Sequence, residues 1–378
     1  MIPKAGPDFP EILQHFELTG HFAGAERFGS GHINDTWLVR IAHADCRRRY
    51  VLQRLNDTVF ADPLAVMENI DRLTAHIGSL PGARTDGRLA GQPGLRPLRT
   101  RDDRACWQSD AGQVWRLWPF VYGARTVDAA GTPGEAREAA RAFGIFQHLV
   151  ADLPGPPLNE TIAGFHDTPQ RFLQLCRAID EDPCDRVRHC EAEIEFAMRQ
   201  EEFIRSFFDL ARSGTMTERI VHNDAKINNV LLDERTGGAV CVVDLDTVMP
   251  GYTLFDLGDM IRTMTTLAAE DETDAGGVTM QMDFYEAVVS GYLSVADGLL
   301  SPAETDSVPD AGRLITLETG LRFLADHLSG DTYFRTTREN QNLDRCRTQF
   351  ALVRSIDRQV DTMRAVTREI AGRLGTAG

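Results

Sequence analysis

A chain of 378 residues, 42% of them hydrophobic and 25% charged, is too long for one small core and rich enough in apolar residues for a large one. Its 40 Lys plus Arg against 56 Asp plus Glu leave a formal charge of -16, which argues against a nucleic-acid backbone as partner while leaving room for a local basic site. The seven cysteines form no C-x-x-C pair, and no histidine spacing completes a zinc pattern around Cys184 and Cys190, so a reducing compartment and free thiols are expected. The first twenty residues carry three prolines and acidic residues but no apolar signal segment, and no apolar run approaches the ~20 residues that span a bilayer. These features together predict a cytoplasmic protein.

Residues 25–55 read as strands, with "AERF" and "HINDTWLVRIAH" on either side of a Gly29-Ser30-Gly31 turn and "YVLQRLN" after a charged link. Residues 63–77 put Val66, Ile70, Leu73 and Ile77 on one helical face, with Pro63 suited to the first turn. Residues 78–112, rich in Gly, Pro, Arg and Asp, predict loops and short strands, and "VWRLWPFVYG" at 114–123 is a dense aromatic and β-branched run. From residue 131 the texture is helical, through "GTPGEAREAARAFGIFQHLVADL" and the segments 169–180 and 190–212. Short apolar strands return over 219–249, and 256–270, 281–297, 311–329 and 339–374 are again helical. The pattern predicts an α+β fold: a β-rich lobe over residues 1–118, joined near 118–124 to a helical lobe over 119–378.

The informative stretch is "RIVHNDAKINNVLLDERTGGAVCVVDLDT", residues 219–247. "VLLD" and "AVCVVD" are apolar runs joined by Thr236-Gly237-Gly238, which predicts a β-hairpin. A hairpin brings its outer ends together, so Asn229 and Asp244 can face one another with Asp224 just upstream. Phosphoryl transfer needs such a set. Negative charge spreads over the transferring oxygens, and a magnesium ion held by hard oxygen ligands offsets it. Asp244 and Asn229 supply a carboxylate and an amide oxygen, and the separate carboxylate of Asp224 can take the acceptor's proton. His222 is expected to pack beneath the loop. Any one of these residues alone reads as a turn acid or turn amide. The whole order H-x-D-x-x-x-x-N, strand, turn and strand ending in Asp points to catalysis.

On these residues the chain resembles the aminoglycoside phosphotransferase and choline kinase superfamily, which has a bilobal protein-kinase-like fold. Within it the chain looks most like the N-acetylhexosamine 1-kinases, on "FGSGHINDT" at 28–36, "VLQRLN" at 51–56, "HNDAKINNVLLD" at 222–233, "VVDLDTVMPG" at 242–251, "DLGDMIR" at 256–262 and "GLRFLADHLSGDTYF" at 320–334. The resemblance implies ATP, Mg²⁺ and phosphorylation of the anomeric hydroxyl of GlcNAc or GalNAc. It implies Asp224 as base, Asn229 and Asp244 as metal ligands, and Asp35, Arg322 and Tyr333 as sugar contacts.

The nucleotide side departs from the kinase pattern. Such folds place a lysine on the third strand, paired with a glutamate on the next helix, and "YVLQRLN" has none. Arg54 paired with Glu68 is the expected substitute, since a guanidinium can bridge carboxylate and phosphate; the alternative register turns Gln53 inward. Gly29 and Gly31 suit either a phosphate-covering loop or an ordinary tight turn. Asp246, two residues past Asp244 in an extended strand, could share the metal region, whereas Asp256 and Asp259 are expected to brace the catalytic loop or cap a helix. Two rival readings remain: a kinase of another small alcohol, such as an amino sugar, choline or homoserine, and a nucleotide-binding pseudokinase.

Overall fold

The computed structural model describes residues 6–29, 33–80, 96–296 and 298–375. The N-terminal part is built on α1 (Phe9–Leu13), β1 (His21–Arg27), β2 (Asp35–Ala42), β3 (Arg47–Arg54), α2 (Pro63–Ser79), β4 (Trp107–Gln108) and β5 (Val114–Pro119). Its five strands form one antiparallel sheet in the order β1-β2-β3-β5-β4. Side chains alternate across a strand, and here both faces are covered. Trp37, Val39, Ile41, Tyr50, Leu52, Trp115 and Leu117 meet Ile12, Leu13 and Phe16 in one apolar cluster on the outer face. Thr36, Val51, Gln53, Arg116 and Trp118 occupy the other face, above a cleft. Asp62 caps α2 by accepting from the N–H groups of Leu64 and Ala65, and Pro63 takes the first turn as expected.

The remainder is mostly helical: β6 (Ala124–Arg125), α3 (Pro133–Val150), α4 (Thr168–Glu181), α5 (Glu191–Met198), α6 (Glu201–Arg212), β7 (Glu218–Val221), β8 (Val230–Asp233), β9 (Ala239–Val242), β10 (Met249–Tyr252), α7 (Thr253–Met264), α8 (Met282–Leu293), α9 (Pro302–Asp306), α10 (Val308–Leu328) and α11 (Gln341–Gly375). The antiparallel sheet followed by helices is the fold class the sequence predicts. The expected single helix over 190–212 is two, α5 and α6, with a turn at Arg199–Gln200 that lets Gln200 accept from Arg313 of α10. Among the described residues no helix is long and apolar enough to cross a membrane, and all seven cysteines are free.

The helix that braces the site is α7, which is buried along nearly its whole length and packs against α10. Gly258 makes this approach possible, because a Cβ there would lie 2.5 Å from the Ala311 carbonyl oxygen and 2.6 Å from Ile315. Gly258→Ala is therefore expected to lower stability by about 1–3 kcal/mol, since overpacking outweighs the gain in helix propensity of about 1 kcal/mol. Thermal or urea denaturation checks this, and an unchanged midpoint would mean that the helices can separate at no cost.

Candidate active site

The predicted hairpin forms as β8 and β9, with β6 on its free edge. The Val243 N–H donates to Asn229 O at 2.8 Å, which joins the two ends of the hairpin as its geometry requires. Strand β7 leads into the loop His222–Lys226 and pairs with β10, which leaves the hairpin's far side. Asp224, Asn229 and Asp244 are thereby brought to one place. Asn229 Nδ2 lies 2.9 Å from both Asp224 O and Asp224 Oδ2, and Lys226 Nζ also sits 2.9 Å from Asp224 Oδ2.

The loop is held on every side. The backbone N–H groups of His222 and Asn223 donate to the two oxygens of Asp256 at 2.8 and 2.7 Å, so Asp256 of α7 braces the loop as the sequence suggests. Thr247 Oγ1 donates to His222 O, and Asn223 Nδ2 donates to Thr247 O. His222 lies buried with its ring against Phe143 and Phe146 and its Nε2 3.1 Å from Val243 O. These ties hold Asn223 at φ 63°, and Asp244 sits at φ 60°, left-handed conformations that non-glycine residues adopt at a cost. Among the described residues Asp259 makes no hydrogen bond to the loop and pairs instead with Arg262.

The electrostatics separate the two acids. Burial would raise the Asp224 carboxyl, but the charge and hydrogen bond of Lys226 outweigh it and hold the group below the ordinary range. Asp224 is therefore an anion at neutral pH. For Asp244, burial together with the charges of Asp246 and Asp224 pushes the carboxyl up to about 7. Its side chain opens into the cleft, but the surrounding walls and acids leave its charge poorly compensated.

The cleft over these residues measures about 540 Å³ and is lined by Phe28, Gly29, Val51, Phe120, Lys226 and Asp244 among others. A divalent cation fits the donor set at its floor. Among the described residues Asp244 makes no hydrogen bond or ion pair there, the amide nitrogen of Asn229 is committed to Asp224, and the buried Asn228 Oδ1 has no partner. Among the described residues no group of three or more His, Cys, Asp or Glu side chains is arranged to hold a metal by itself. One carboxylate and one amide oxygen would need further oxygens, such as those of phosphates, to complete a shell.

Three expectations change. Arg54 does not meet Glu68. Residue parity puts Arg54 on the outer sheet face beside Trp115, where its Nε donates to Asp35 Oδ2 at 3.1 Å, and Arg27 donates to Asp35 Oδ1 at 2.6 Å. Asp35 is thus tied between two arginines on the face opposite the cleft. Glu68 points away as well, because α2 buries Val66, Met67, Asn69 and Ile70, and it accepts from Asn159. Gln53 is the inward residue: it accepts from Arg116 Nε and Trp118 Nε1 and donates to Thr36 Oγ1.

Asp246 is also not placed for a metal. Its two oxygens are taken by Arg116, with Nη2 3.0 Å from Oδ2, and by Asn34 Nδ2 at 2.6 Å. The chain between Asp244 and Asp246 is a 3₁₀ turn over Leu245–Thr247, so the two carboxylates do not share a strand face.

Arg116 and Lys226 are cleft residues that the sequence reading passes over. Arg116 is a buried cation on β5, the strand next to β3, and it pairs with Asp246 in the other part of the chain. It sits inside an aromatic run where only the tertiary partner reveals it. Lys226 had a local signal, its place two residues after Asp224.

Gly29 has φ 80° and lines the cleft, while Gly31 lies outside the described residues. Arg322 and Tyr333 come together elsewhere, in a cavity of about 250 Å³ shared with Arg171, Gln174 and Thr332. The Arg322 guanidinium sits 5.4–5.8 Å from the rings of Phe165, Tyr333 and Phe334 and has no hydrogen bond or ion pair among the described residues.

A family model described as "Phosphotransferase enzyme family" matches residues 24–292. Solved structures share the fold at low identity. A microcompartment-associated aminopropanol kinase is 16% identical, with a TM-score of 0.65 over 94% of this chain and 97% of that one. A spectinomycin phosphotransferase in complex with ADP and spectinomycin is 11% identical, with a TM-score of 0.58 over 92% and 97%. A Plasmodium vivax ethanolamine kinase is 10% identical, with a TM-score of 0.54 over 86% and 81%.

Proposed function

Because the chain belongs to the phosphotransferase enzyme family, we propose that it transfers the γ-phosphoryl group of ATP to an alcohol, the anomeric hydroxyl of an N-acetylhexosamine. The observation that carries the phosphoryl-transfer part is the presence of Lys226, Asn229 and Asp244 in the lining of one cleft, with Asp224 bonded to the first two of them. The ADP-bound spectinomycin phosphotransferase and the ethanolamine kinase named above are consistent with it.

The roles follow from the contacts. Lys226 and Asn229 both engage Oδ2 of Asp224, which leaves Oδ1 to accept the hydroxyl proton as the oxygen attacks phosphorus. Lys226 also faces the cleft, where its ammonium can offset charge on the transferring group. Mg²⁺ held by Asn229 and Asp244 would neutralise phosphate charge, and a cation there would reverse the raised pKa of Asp244. The backbone at Pro119–Val121 and the Phe28 and Phe120 rings wall the same cleft and suit a purine edge and face.

The acceptor assignment draws on Arg322 and Tyr333 beside Arg171. Two guanidinium groups in one small cavity suit a neutral polyol with an amide carbonyl and disfavour a cationic amino alcohol. The Asp326 carboxylate in the same wall keeps its charge, but its oxygens already accept from the N–H groups of Thr332, Tyr333 and Phe334 and from Asn342 Nδ2, which leaves it poorly placed to pair with an incoming ammonium.

A panel of acceptors with MgATP tests the proposal. Turnover of GlcNAc or GalNAc, with loss of activity in EDTA, is the expected result. Turnover confined to ethanolamine, aminopropanol, choline or homoserine would replace the sugar by an amino alcohol. ATP binding without turnover of any alcohol would favour a pseudokinase.

A further inference from the structure

His166, in the turn before α4, lies behind the catalytic loop with its Nδ1 2.8 Å from Glu318 Oε1 and its Nε2 2.9 Å from Asn223 O. A carbonyl oxygen and a carboxylate anion only accept hydrogen bonds, so both contacts are satisfied together when both ring nitrogens carry protons. The second Glu318 oxygen accepts from Thr168 Oγ1 at 2.6 Å, which fills the carboxylate's remaining side. The side chains of His166 and Glu318 are 6% and 1% exposed, so water does not compete for these positions.

We infer that His166 is held as an imidazolium by Glu318 and that this pair is a positioning device, pinning the Asn223 carbonyl so that Asp224 stays aimed at the acceptor hydroxyl. The inference rests on the phosphotransfer reading of Asp224 for its consequence, though not for the proton itself. Asn223 is left-handed, and its N–H and side chain are already fixed by Asp256 and Thr247. The carbonyl is its last free group, and it leads directly into the peptide of Asp224. Without a donor behind it that peptide can rotate, and the carboxylate moves with it.

The charges around the ring favour the doubly protonated form. Glu318 approaches from α10, and Asp256 and Asp259 act from α7. Arg322, one turn along α10, acts on Glu318. Burial would drive the proton off, but Glu318 and the Asn223 carbonyl reverse that and leave the imidazole raised above its usual 6.5. Burial likewise opposes the Glu318 charge, and His166 overcomes it, leaving that carboxyl lowered. A raised histidine contributes stability below the unfolded value and loses it as pH rises through the folded one. A lowered glutamate contributes above its unfolded value and loses it as pH falls through the folded one. The pair is therefore lost on the alkaline side as pH rises through the raised histidine value, and on the acid side as pH falls through the lowered glutamate value. Phe165, next to His166, also packs against Arg322, so the wall of the acceptor cavity and the catalytic loop share one support.

The test uses the full chain with ¹⁵N-labelled histidine, the His166 signals being assigned by their loss in His166→Gln. Two protonated ring nitrogens at pH 7–8 are expected, and a neutral ring at pH 7 would overturn the inference. In parallel, His166→Phe should lower kcat about 10–100-fold with the KM for ATP little changed, as expected for a small misplacement of a reacting group. His166→Gln, which keeps one N–H donor, should restore much of that loss. Wild-type kcat in soluble His166→Phe would also overturn the positioning role. If that variant does not fold, the spectrum of the wild-type protein still decides. The spectrum needs no substrate, so absence of any alcohol kinase activity would defeat the functional proposal and leave the proton assignment separately testable.

Discussion

Asp224→Asn is expected to lower kcat by about 10²–10⁴ while leaving nucleotide affinity largely intact, the usual size of a general-base contribution. Asparagine keeps the size and one oxygen of aspartate, so the hydrogen bond from Asn229 can persist. It cannot take a proton at neutral pH, however, and it releases Lys226 from its ion pair. In the function proposed above, nucleotide binding would depend on other parts of the cleft, chiefly its aromatic walls and the Asn229 and Asp244 oxygens. Steady-state turnover with the best acceptor gives kcat, and calorimetric titration with a non-hydrolysable nucleotide gives affinity. Near-normal turnover would place the base elsewhere, whereas a parallel loss of both quantities would mean that the substitution disrupts the loop and not the chemistry.

What could be read from the sequence was what is local. The hairpin needs only a glycine turn between two apolar runs, and its ends are close because strands β8 and β9 are short and equal. That is why Asn229 and Asp244 could be brought together on paper with Asp224 beside them. The choice between Gln53 and Arg54 was not local. The alternation in β3 normally shows which face is buried, but here α1 and an aromatic cluster cover the outer face, so both parities look half apolar. Asp246 failed for a different reason, since the left-handed Asp244 and the following 3₁₀ turn break the two-residue rule of an extended strand. His166 and Glu318 lie 152 residues apart, and nothing in either neighbourhood announces the other.

The second large effect is expected at Arg116. Its ion pair with Asp246 joins β5 of the N-terminal sheet to the segment just after Asp244, and the two side chains are 1% and 3% exposed. Removing one member of such a pair strands the other charge, at a cost of about 3–5 kcal/mol. Arg116→Met should therefore be strongly destabilised in urea. Arg116→Met with Asp246→Leu should recover much of that stability, because the pair's own attraction is largely offset by the desolvation of both ions. Activity should not follow stability. Asp246 also holds Asn34, whose side-chain oxygen accepts from the Asn56 N–H, so the double variant still lacks the tie between the loop entering β2 and the turn that carries Asp244. A double-mutant cycle read by both denaturation and turnover separates the two functions. Recovery of kcat along with stability would mean that Arg116 only fills space, and that the cation missing from β3 has no working replacement on β5.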